Sequence, residues 1–373
     1  MLHSFDRYLA IANNCFSSTK QQSKIESDLD IIRGVAIVLA LGWHFNSGTG
    51  LFWFDCLEYP GMTFGWAGVD LFFVLSGFLI GRLVFKEIVR TKRFDYKRFI
   101  IRRALRLWPT LYLFLLVQFF WGDHDWHTYL IQTLFHVQNY FDSPLLHLWS
   151  LAIEEHFYLI FGVLCYFYAF RISHNKMTPI ILIALLIICP VIRYLAFASG
   201  WSARDIQQQT QFRFDALSAG VLMAYLFVYQ EELFVGLLRF KWLWFALTIG
   251  GCICLTYTSL ESPEDGVFMY TVAWITSASF IMLTYRTDLV KRIPILSRLL
   301  IFLGVYSYSL YIWQFSGRHA AAYIQSHFTS LGGHATKIVL QYVTATCVAF
   351  AISRLIEKPM IALRDRMFVK PND

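Results

Sequence analysis

Long apolar runs separated by short polar segments occupy most of this sequence. Ten runs hold about 20 mostly apolar residues each, the length that a helix needs to cross the hydrocarbon core of a membrane. The runs are 29–46, 66–86, 104–121, 147–169, 178–198, 211–229, 242–260, 267–285, 299–317 and 336–356. We therefore predict an all-α polytopic membrane protein with about ten transmembrane helices.

The composition supports this class. Of the 373 residues, 57% are hydrophobic and 15% are charged, whereas soluble domains average roughly 45–50% and about 25%. The 18% of aromatic residues excludes a disordered chain, because such chains are poor in aromatics. The composition thus argues against a soluble enzyme.

The basic residues predict the orientation. If the chain starts in the cytoplasm and alternates, 27 of the 32 Lys and Arg residues fall on the cytoplasmic side, and the outer loops 47–65, 122–146 and 261–266 contain none. Lys and Arg gather in cytoplasmic loops of membrane proteins. We therefore predict that both termini are cytoplasmic and that the protein lies in the cytoplasmic (inner) membrane. The net charge of +7 needs no nucleic-acid partner.

These assignments divide the chain into three parts. Residues 1–28 form a polar cytoplasmic extension with no removable signal peptide, because an apolar core and a cleavage site are missing. Residues 29–360 form the ten-helix domain, and residues 361–373 form a cytoplasmic tail. The segment 128–141 is too short to span and is predicted to lie at the interface or within the outer loop.

Two ionisable residues lie in the first span. Arg33 and His44 are 11 residues apart, about three helical turns, so they share nearly one face with a separation of roughly 16 Å along the axis. Ionisable groups inside a membrane are costly and are candidates for function. Arg33 could equally be a snorkelling residue near the cytoplasmic surface, and His44 a packed, hydrogen-bonded histidine.

Four further charges are predicted in the outer half of the membrane, at Asp70, Glu154, Arg213 and Asp215. An imidazole beside a carboxylate at this depth could act as a general base, because the carboxylate fixes the tautomer of the ring. The alternative is structural, with Arg213 neutralising one of the carboxylates.

The cytoplasmic segment 82–106 carries ten cations, more than orientation requires. Arg103 and Arg106 are three residues apart at the start of the third span and share a helix face. Paired guanidinium groups suit phosphate recognition, which implies a phosphorylated cytosolic ligand. Attraction to anionic lipids is the alternative explanation. The seven cysteines show no zinc spacing, so no metal site is expected.

At these residues the sequence resembles the acyltransferase-3 family of integral membrane O-acyltransferases. The first-span arginine and histidine are the family's leading motif, and six further motifs follow in order over residues 30–359. The matching segments are DIIRGVAIVLALGWHF with Arg33 and His44, GVDLFFVLSGFLI with Asp70 and Ser76, RRALRLWP with Arg103 and Arg106, HLWSLAIEEHFYLI with Ser150 and Glu154, RFDALSAG with Arg213 and Asp215, LGVYSYSLYIWQF, and IEKP.

Two departures accompany the resemblance. The ninth-span motif often ends in tryptophan and histidine, whereas here Trp313 is followed by Gln314. If that histidine positions substrate in relatives, Gln314 stands in its place here. Some relatives also carry a fused extracytoplasmic hydrolase-like domain, which is not expected here because the sequence ends at residue 373.

The resemblance implies transfer of an acyl group, commonly acetyl, from cytosolic acyl-CoA to a hydroxyl of an extracytoplasmic or lipid-linked glycan. It implies that His44 is catalytic and that the family's arginines (Arg33, Arg103 and Arg106 here) contact coenzyme A. Glu154 would orient the imidazole. His44 could be a general base or could carry the acyl group as a nucleophile.

Other residues receive supporting roles. Ser150 belongs to the Glu154 motif, and Tyr308 and Tyr311 are hydroxyl donors in the ninth span or simply packed aromatics. Five residues are assigned to structure or to substrate positioning, and they are Asp70, Ser150, Arg213, Asp215 and Tyr311.

A proton-coupled transporter is the main alternative function, because ten spans with buried charges also suit a carrier. Carriers often show inverted repeats and paired broken helices, and the two halves of this sequence show no matching motifs. A non-catalytic sensor with the same scaffold is a third alternative, which the presence of all five candidate active-site residues disfavours. The sequence does not identify the acceptor, the acyl chain or the oligomeric state.

Overall fold

The computed structural model describes residues 19–45, 49–121, 126–172, 177–258, 263–328 and 333–368. These residues form helices joined by short turns, and none of them lies in a β-strand. The helices are α1 (Thr19–Phe45), α2 (Phe52–Phe64), α3 (Gly68–Thr91), α4 (Tyr96–Trp121), α5 (Trp126–Leu134), α6 (Trp149–Ile172), α7 (Met177–Ala198), α8 (Ala203–Gln208), α9 (Phe214–Tyr229), α10 (Glu231–Leu238), α11 (Lys241–Thr256), α12 (Pro263–Thr284), α13 (Leu289–Arg292), α14 (Pro294–Val305), α15 (Ser307–His327), α16 (His334–Ile352) and α17 (Lys358–Met367). The all-α prediction is confirmed.

Five helical stretches in the described part of the chain are long and apolar enough to cross a membrane. The number becomes seven if each of two bent pairs, α9 with α10 and α14 with α15, is one span. The polytopic prediction is therefore confirmed. The sequence predicted three further spans at α1, α4 and α11. The first two carry several charges in their N-terminal halves, and α11 has only 16 residues, so the count of ten and the orientation stay predictions.

Two predicted boundaries differ from the helices. Helix α1 begins at Thr19, so its first ten residues belong to the predicted polar extension 1–28, of which residues 1–18 lie outside the described residues. The predicted span over 299–317 is bent in the structure, because α14 and α15 meet near Tyr306 at an angle of 80°. A Cβ atom on Gly304, in the last turn of α14, would overlap the backbone of Asp30 in α1. This close packing fixes α14 along α1, while α15 packs against α16.

Helices α3 and α9 form the closest pair at the centre of the bundle. Gly77 of α3 faces the backbone of Leu217, and Gly220 of α9 faces the backbone of Val74. Small residues at such contacts let the backbones of two membrane helices approach closely. Buried aromatic side chains surround this contact, among them Phe78 and Phe85.

The segment between α5 and α6 folds back into the protein. It contains short 3₁₀ turns at Gln138–Tyr140 and Leu146–Leu148. His136, Asn139 and His147 are all buried, and the amide of Gln138 donates a hydrogen bond of 2.9 Å to the Leu148 carbonyl. This arrangement agrees with the predicted short, non-spanning segment 128–141, and it carries polar side chains into the bundle.

Candidate active site

A cavity of about 440 Å³ lies between α1, α3, α4, α6 and α15. Its lining includes five cationic side chains: Arg33, Arg82, Lys86, Arg103 and Arg106. Its polar lining comes from Ser76, Ser150, Glu154, Tyr158, Ser307, Tyr308 and Tyr311, and the remaining lining is apolar. The structure therefore brings together the three predicted arginines, Glu154, Ser150 and Tyr311.

The two arginines of α4 face the cavity side by side, as their spacing predicts. Neither the Arg103 nor the Arg106 guanidinium lies within 4 Å of a carboxylate in the described part of the chain. The Arg103 guanidinium lies 4.8 Å from the centre of the Tyr158 ring. Arg33 pairs with Asp30, one turn earlier on α1. Guanidinium groups without a carboxylate partner are suited to bind an anionic ligand through charge-assisted hydrogen bonds.

Glu154 is held by a short chain of hydroxyl groups. The Tyr158 hydroxyl donates a hydrogen bond of 2.7 Å to Glu154 Oε2. Ser76 Oγ lies 2.6 Å from the same Tyr158 oxygen, and it is the donor there because Tyr158 has a single proton to give. Tyr158 was not selected from the sequence, although it lies four residues after Glu154 and therefore on the same face of α6.

Ser150 and Tyr311 form a second polar contact in the cavity wall. Their hydroxyl oxygens are 2.7 Å apart. The Tyr311 hydroxyl donates a hydrogen bond of 2.6 Å to the carbonyl of His147, so the Ser150 hydroxyl donates to Tyr311. Tyr308 also lines the cavity, and its hydroxyl donates to the Leu107 carbonyl at 2.6 Å. These bonds connect α6, α15 and α4 around the cavity.

His44 is not part of the cavity lining. Its ring meets Phe315 edge to face, with the ring centres 5.1 Å apart, and the His147 ring meets the same phenyl ring at 4.9 Å. Between the side chains of His44 and Glu154, both of which the structure describes, there is no hydrogen bond or ion pair. The structure therefore does not support the prediction that Glu154 orients the His44 imidazole, because Glu154 turns into the cavity and bonds Tyr158.

Phe315 contacts His44 from α15, the helix that carries Tyr308 and Tyr311 of the cavity lining. It follows Tyr311 by four residues on α15, about one helical turn, and Tyr311 lines the cavity. His147, in the turn before α6, contacts the Phe315 ring as well. His44 and His147, rather than His44 and Glu154, are therefore brought together here.

The remaining predicted charges form buried ion pairs and do not line the cavity. Arg213 Nη2 donates to Asp70 Oδ1 at 2.7 Å, and the Arg213 guanidinium lies 3.8 Å from the centre of the Tyr270 ring. Asp215 Oδ2 lies 2.8 Å from Arg193 Nη1. All four charged side chains are at most 1% exposed, and this geometry favours the structural alternative for Asp70, Arg213 and Asp215.

Arg193 is a residue that the sequence analysis did not assign. Its guanidinium donates to the carbonyl groups of Phe212 and Val267 and to Thr271 Oγ1, so it joins α7, α9 and α12. The orientation rule left Arg193 without an explanation inside the fifth span. That anomaly was the signal that could have identified it.

Gln314 occupies the position at which relatives often have histidine. The side chain is fully buried, and its Nε2 donates a hydrogen bond of 2.9 Å to the Tyr311 carbonyl. It does not line the cavity. In the described ranges, no group of three His, Cys, Asp or Glu side chains could hold a metal ion.

Comparison with known proteins identifies the class of this fold and site. Residues 26–358 match the acyltransferase domain that defines the acyltransferase-3 family. The chain therefore belongs to this family and is a multi-pass membrane acyltransferase.

Two relatives are O-acetyltransferases by name. O-acetyltransferase OatA of Staphylococcus aureus is 26% identical over 326 residues, which are 77% of this chain and 49% of the relative. Peptidoglycan O-acetyltransferase OatA of Listeria monocytogenes is 26% identical over 241 residues, or 57% of this chain and 36% of the relative. The chain spans about half the length, or less, of these curated relatives. No solved structure gives a significant match.

Proposed function

We propose that this protein transfers an acyl group, acetyl by preference, from cytosolic acyl-CoA to a hydroxyl of an extracytoplasmic or lipid-linked glycan. The protein would do so in the cytoplasmic membrane, with both termini in the cytoplasm. The observation that carries the proposal is the cavity in which Arg33, Arg103 and Arg106 lie with Glu154. The names of the relatives support acetyl as the acyl group and a cell-wall glycan as the acceptor class.

The cations would hold the donor. Coenzyme A carries phosphate groups at one end and the thioester at the other, and guanidinium pairs bind phosphate in a bidentate manner. Bound to Arg103 and Arg106, the phosphates would lie at the cytoplasmic end of the cavity. The pantetheine arm would then extend past Glu154 toward Ser150 and Tyr311, at the end of the cavity that is nearest Phe315.

His44 would act on the acceptor. As a general base, the imidazole removes the proton of the acceptor hydroxyl while that oxygen attacks the thioester carbonyl. The carbon–sulfur bond breaks, and the thiolate of coenzyme A takes up a proton as it leaves. In a second version the imidazole attacks the thioester, and the carbon–sulfur bond breaks as the thiolate of coenzyme A leaves and takes up a proton. The hydroxyl then attacks the acyl-imidazole, and the freed imidazole accepts the hydroxyl proton. Both versions require the thioester to reach His44 past the Phe315 side chain.

Substitution of His44 tests the proposal. In a strain that lacks the endogenous gene, His44→Ala should abolish the acyl groups on the surface glycan, measured by mass spectrometry. Cys254→Ala, a change at an exposed side chain of α11, is the matched control and should restore wild-type acylation. Full acylation by His44→Ala at an equal amount of membrane protein would overturn the assignment of His44.

A further inference from the structure

A second group of polar side chains lies outside the cavity and lacks hydrogen-bond partners. His136 is only 8% exposed, and both of its ring nitrogens are buried without a partner. Nε1 of Trp108 is also buried without a partner. Buried polar groups are almost always hydrogen-bonded, and leaving one unpaired is costly. The His136 and Trp108 rings lie together, and this grouping of unpaired polar atoms is suited to bind a polar ligand.

These two rings belong to a small aromatic cluster. The His136 ring lies 5.9 Å from the Trp108 ring, with an angle of 32° between their planes. The Tyr112 ring follows one turn along α4, 5.8 Å from the Trp108 ring. Trp108 and Tyr112 are partly exposed, so this side of the cluster is open. Flat apolar faces thus lie next to the unpaired nitrogens.

Glu155 adds an acceptor to the cluster. Its side chain is buried beside the Trp108 indole and the Tyr112 ring. The carboxylate lies near the indole Nε1, but no hydrogen bond of normal geometry joins them. The charged group that faces Glu155 from α4 is Arg103, whose guanidinium belongs to the cavity lining. Because Glu155 is a carboxylate, it would repel an anionic ligand at this place.

The cluster lies behind the wall of the donor cavity. Leu107 and Glu154 line the cavity, and Trp108 and Glu155 follow them directly in the sequence. Neighbouring residues of a helix point about 100° apart, so α4 and α6 each present one residue to the cavity and the next to the cluster. The two sites are adjacent but face different spaces.

The chemistry of the cluster specifies its ligand. A neutral imidazole offers one donor and one acceptor, the indole offers a donor, and a carboxylate accepts. A hydroxyl group both donates and accepts, so several hydroxyls on one ring can satisfy all of these groups. The aromatic faces suit the apolar C–H face of such a ring. We infer that Trp108, His136 and Glu155 bind a hydroxyl-rich sugar ring of the acceptor glycan.

This inference rests on the proposed glycan acceptor, and binding experiments separate the two. The probe is surface glycan of the native strain, freed of acyl groups by mild base and added to the full-length protein in detergent. His136→Phe keeps a flat ring but removes both nitrogens, and Trp108→Phe removes Nε1. Each variant should weaken glycan binding, and raise the KM for glycan, by about tenfold, which corresponds to the loss of about 1.4 kcal/mol.

Two controls accompany the variants. Trp274→Phe removes another indole nitrogen that is buried without a partner, but in α12, and should leave glycan binding unchanged. The affinity for acetyl-CoA, measured on the same samples, should be equal in all four proteins. A His136→Phe protein that loses acetyl-CoA binding as well would show general misfolding, and His136→Gln, which restores a donor and an acceptor, should then recover glycan binding.

The outcomes distinguish the inference from the proposed function. If the wild-type protein acylates the glycan and the variants at Trp108 and His136 match it in binding and KM, the sugar site is overturned and the function stands. If the wild-type protein binds the glycan through His136 but transfers no acyl group, the site stands and the proposed function fails. Absence of both binding and transfer would overturn both.

Discussion

Tyr158 is the residue that connects the cationic and carboxylate groups of the cavity. Its ring lies under the Arg103 guanidinium, and its hydroxyl bonds both Glu154 and Ser76. Removing this hydroxyl leaves the Glu154 carboxylate with one donor fewer in a half-buried place. A net hydrogen bond contributes about 1 kcal/mol to stability, and more when one partner is charged.

We therefore expect Tyr158→Phe to lower the acyl-transfer rate at least tenfold while the protein remains folded. Acyl transfer and the melting temperature in detergent are measured on the same preparation. Tyr229→Phe is the matched control, because the Tyr229 hydroxyl is buried without a hydrogen-bond partner, and its removal should not slow transfer. A Tyr158→Phe protein as active as the Tyr229→Phe protein would show that Glu154 needs no fixed orientation.

The two arginines of α4 give a second prediction at this scale. Arg103→Ala combined with Arg106→Ala should weaken acetyl-CoA binding by at least tenfold, because two unpaired phosphate ligands are lost. Binding is measured by isothermal titration calorimetry with the purified protein. The comparison is Arg298→Ala, an exposed cation of α14 outside the cavity lining. Equal affinity in the two variants would mean that Arg103 and Arg106 contact lipid head groups only.

Sequence reasoning predicted part of this site for a clear physical reason. Spacing along one helix fixes which residues share a face, so Arg103 and Arg106 could be paired, and Tyr158 could have been paired with Glu154. Spacing does not fix how one helix is rotated against another. The depths of His44 and Glu154 were therefore a poor guide to contact, and the structure turns Glu154 into the cavity and leaves His44 beside Phe315.

The close contact between α3 and α9 depends on glycine, which has no side chain. A Cβ atom on Gly220 would overlap the carbonyl oxygen of Val74 and crowd the backbone nitrogen of Phe78. Both are backbone atoms of α3, so the overlap can be relieved only by moving α9 away from α3. That movement would also displace the α3 side chains that line the cavity.

Gly220→Ala should therefore lower the stability by about 1–3 kcal/mol, the usual cost of overpacking a tight core. The measurement is the melting temperature in detergent with the yield of monodisperse protein. A Cβ atom on Gly250 of α11 would meet no other atom within 4 Å, so Gly250→Ala is the matched control and should be neutral or stabilising. Equal melting temperatures for both variants would contradict the close α3–α9 contact.

The bend between α14 and α15 shows what an apolar pattern cannot predict at the element scale. Residues 299–317 are apolar almost throughout and contain no proline, so the pattern favours one straight helix. The break follows from packing against different partners, with Gly304 pressed on α1 and α15 paired with α16. By contrast, the ends of α6 and α7 were predicted within a few residues, because polar segments flank them.

At the scale of the whole molecule, the orientation in the membrane remains a prediction that one cysteine can test. Cys56 of α2 is exposed and lies in the predicted outer loop 47–65. In a protein that keeps Cys56 as its single cysteine, a membrane-impermeant maleimide should label it in intact spheroplasts. Labelling only after permeabilisation would place α2 in the cytoplasm and reverse the whole orientation.

The same orientation separates the two halves of the proposed reaction. The cationic cavity would open toward the cytoplasm, and His44 would lie about 16 Å further along α1 than Arg33, beyond Phe315. Donor and acceptor would therefore approach from opposite sides of the membrane, and the acyl group would cross while the coenzyme stays inside. The acyl group would thus be transferred across the bilayer.

Sealed proteoliposomes of known orientation test it most directly. Radiolabelled acetyl-CoA is supplied only at the face opposite Cys56, and deacylated surface glycan only at the face that carries Cys56. We predict that label appears on the glycan and that His44→Ala abolishes it. Acetylation that occurs only when acetyl-CoA and glycan are on the same side, or no acetylation of the glycan at all, would contradict the account.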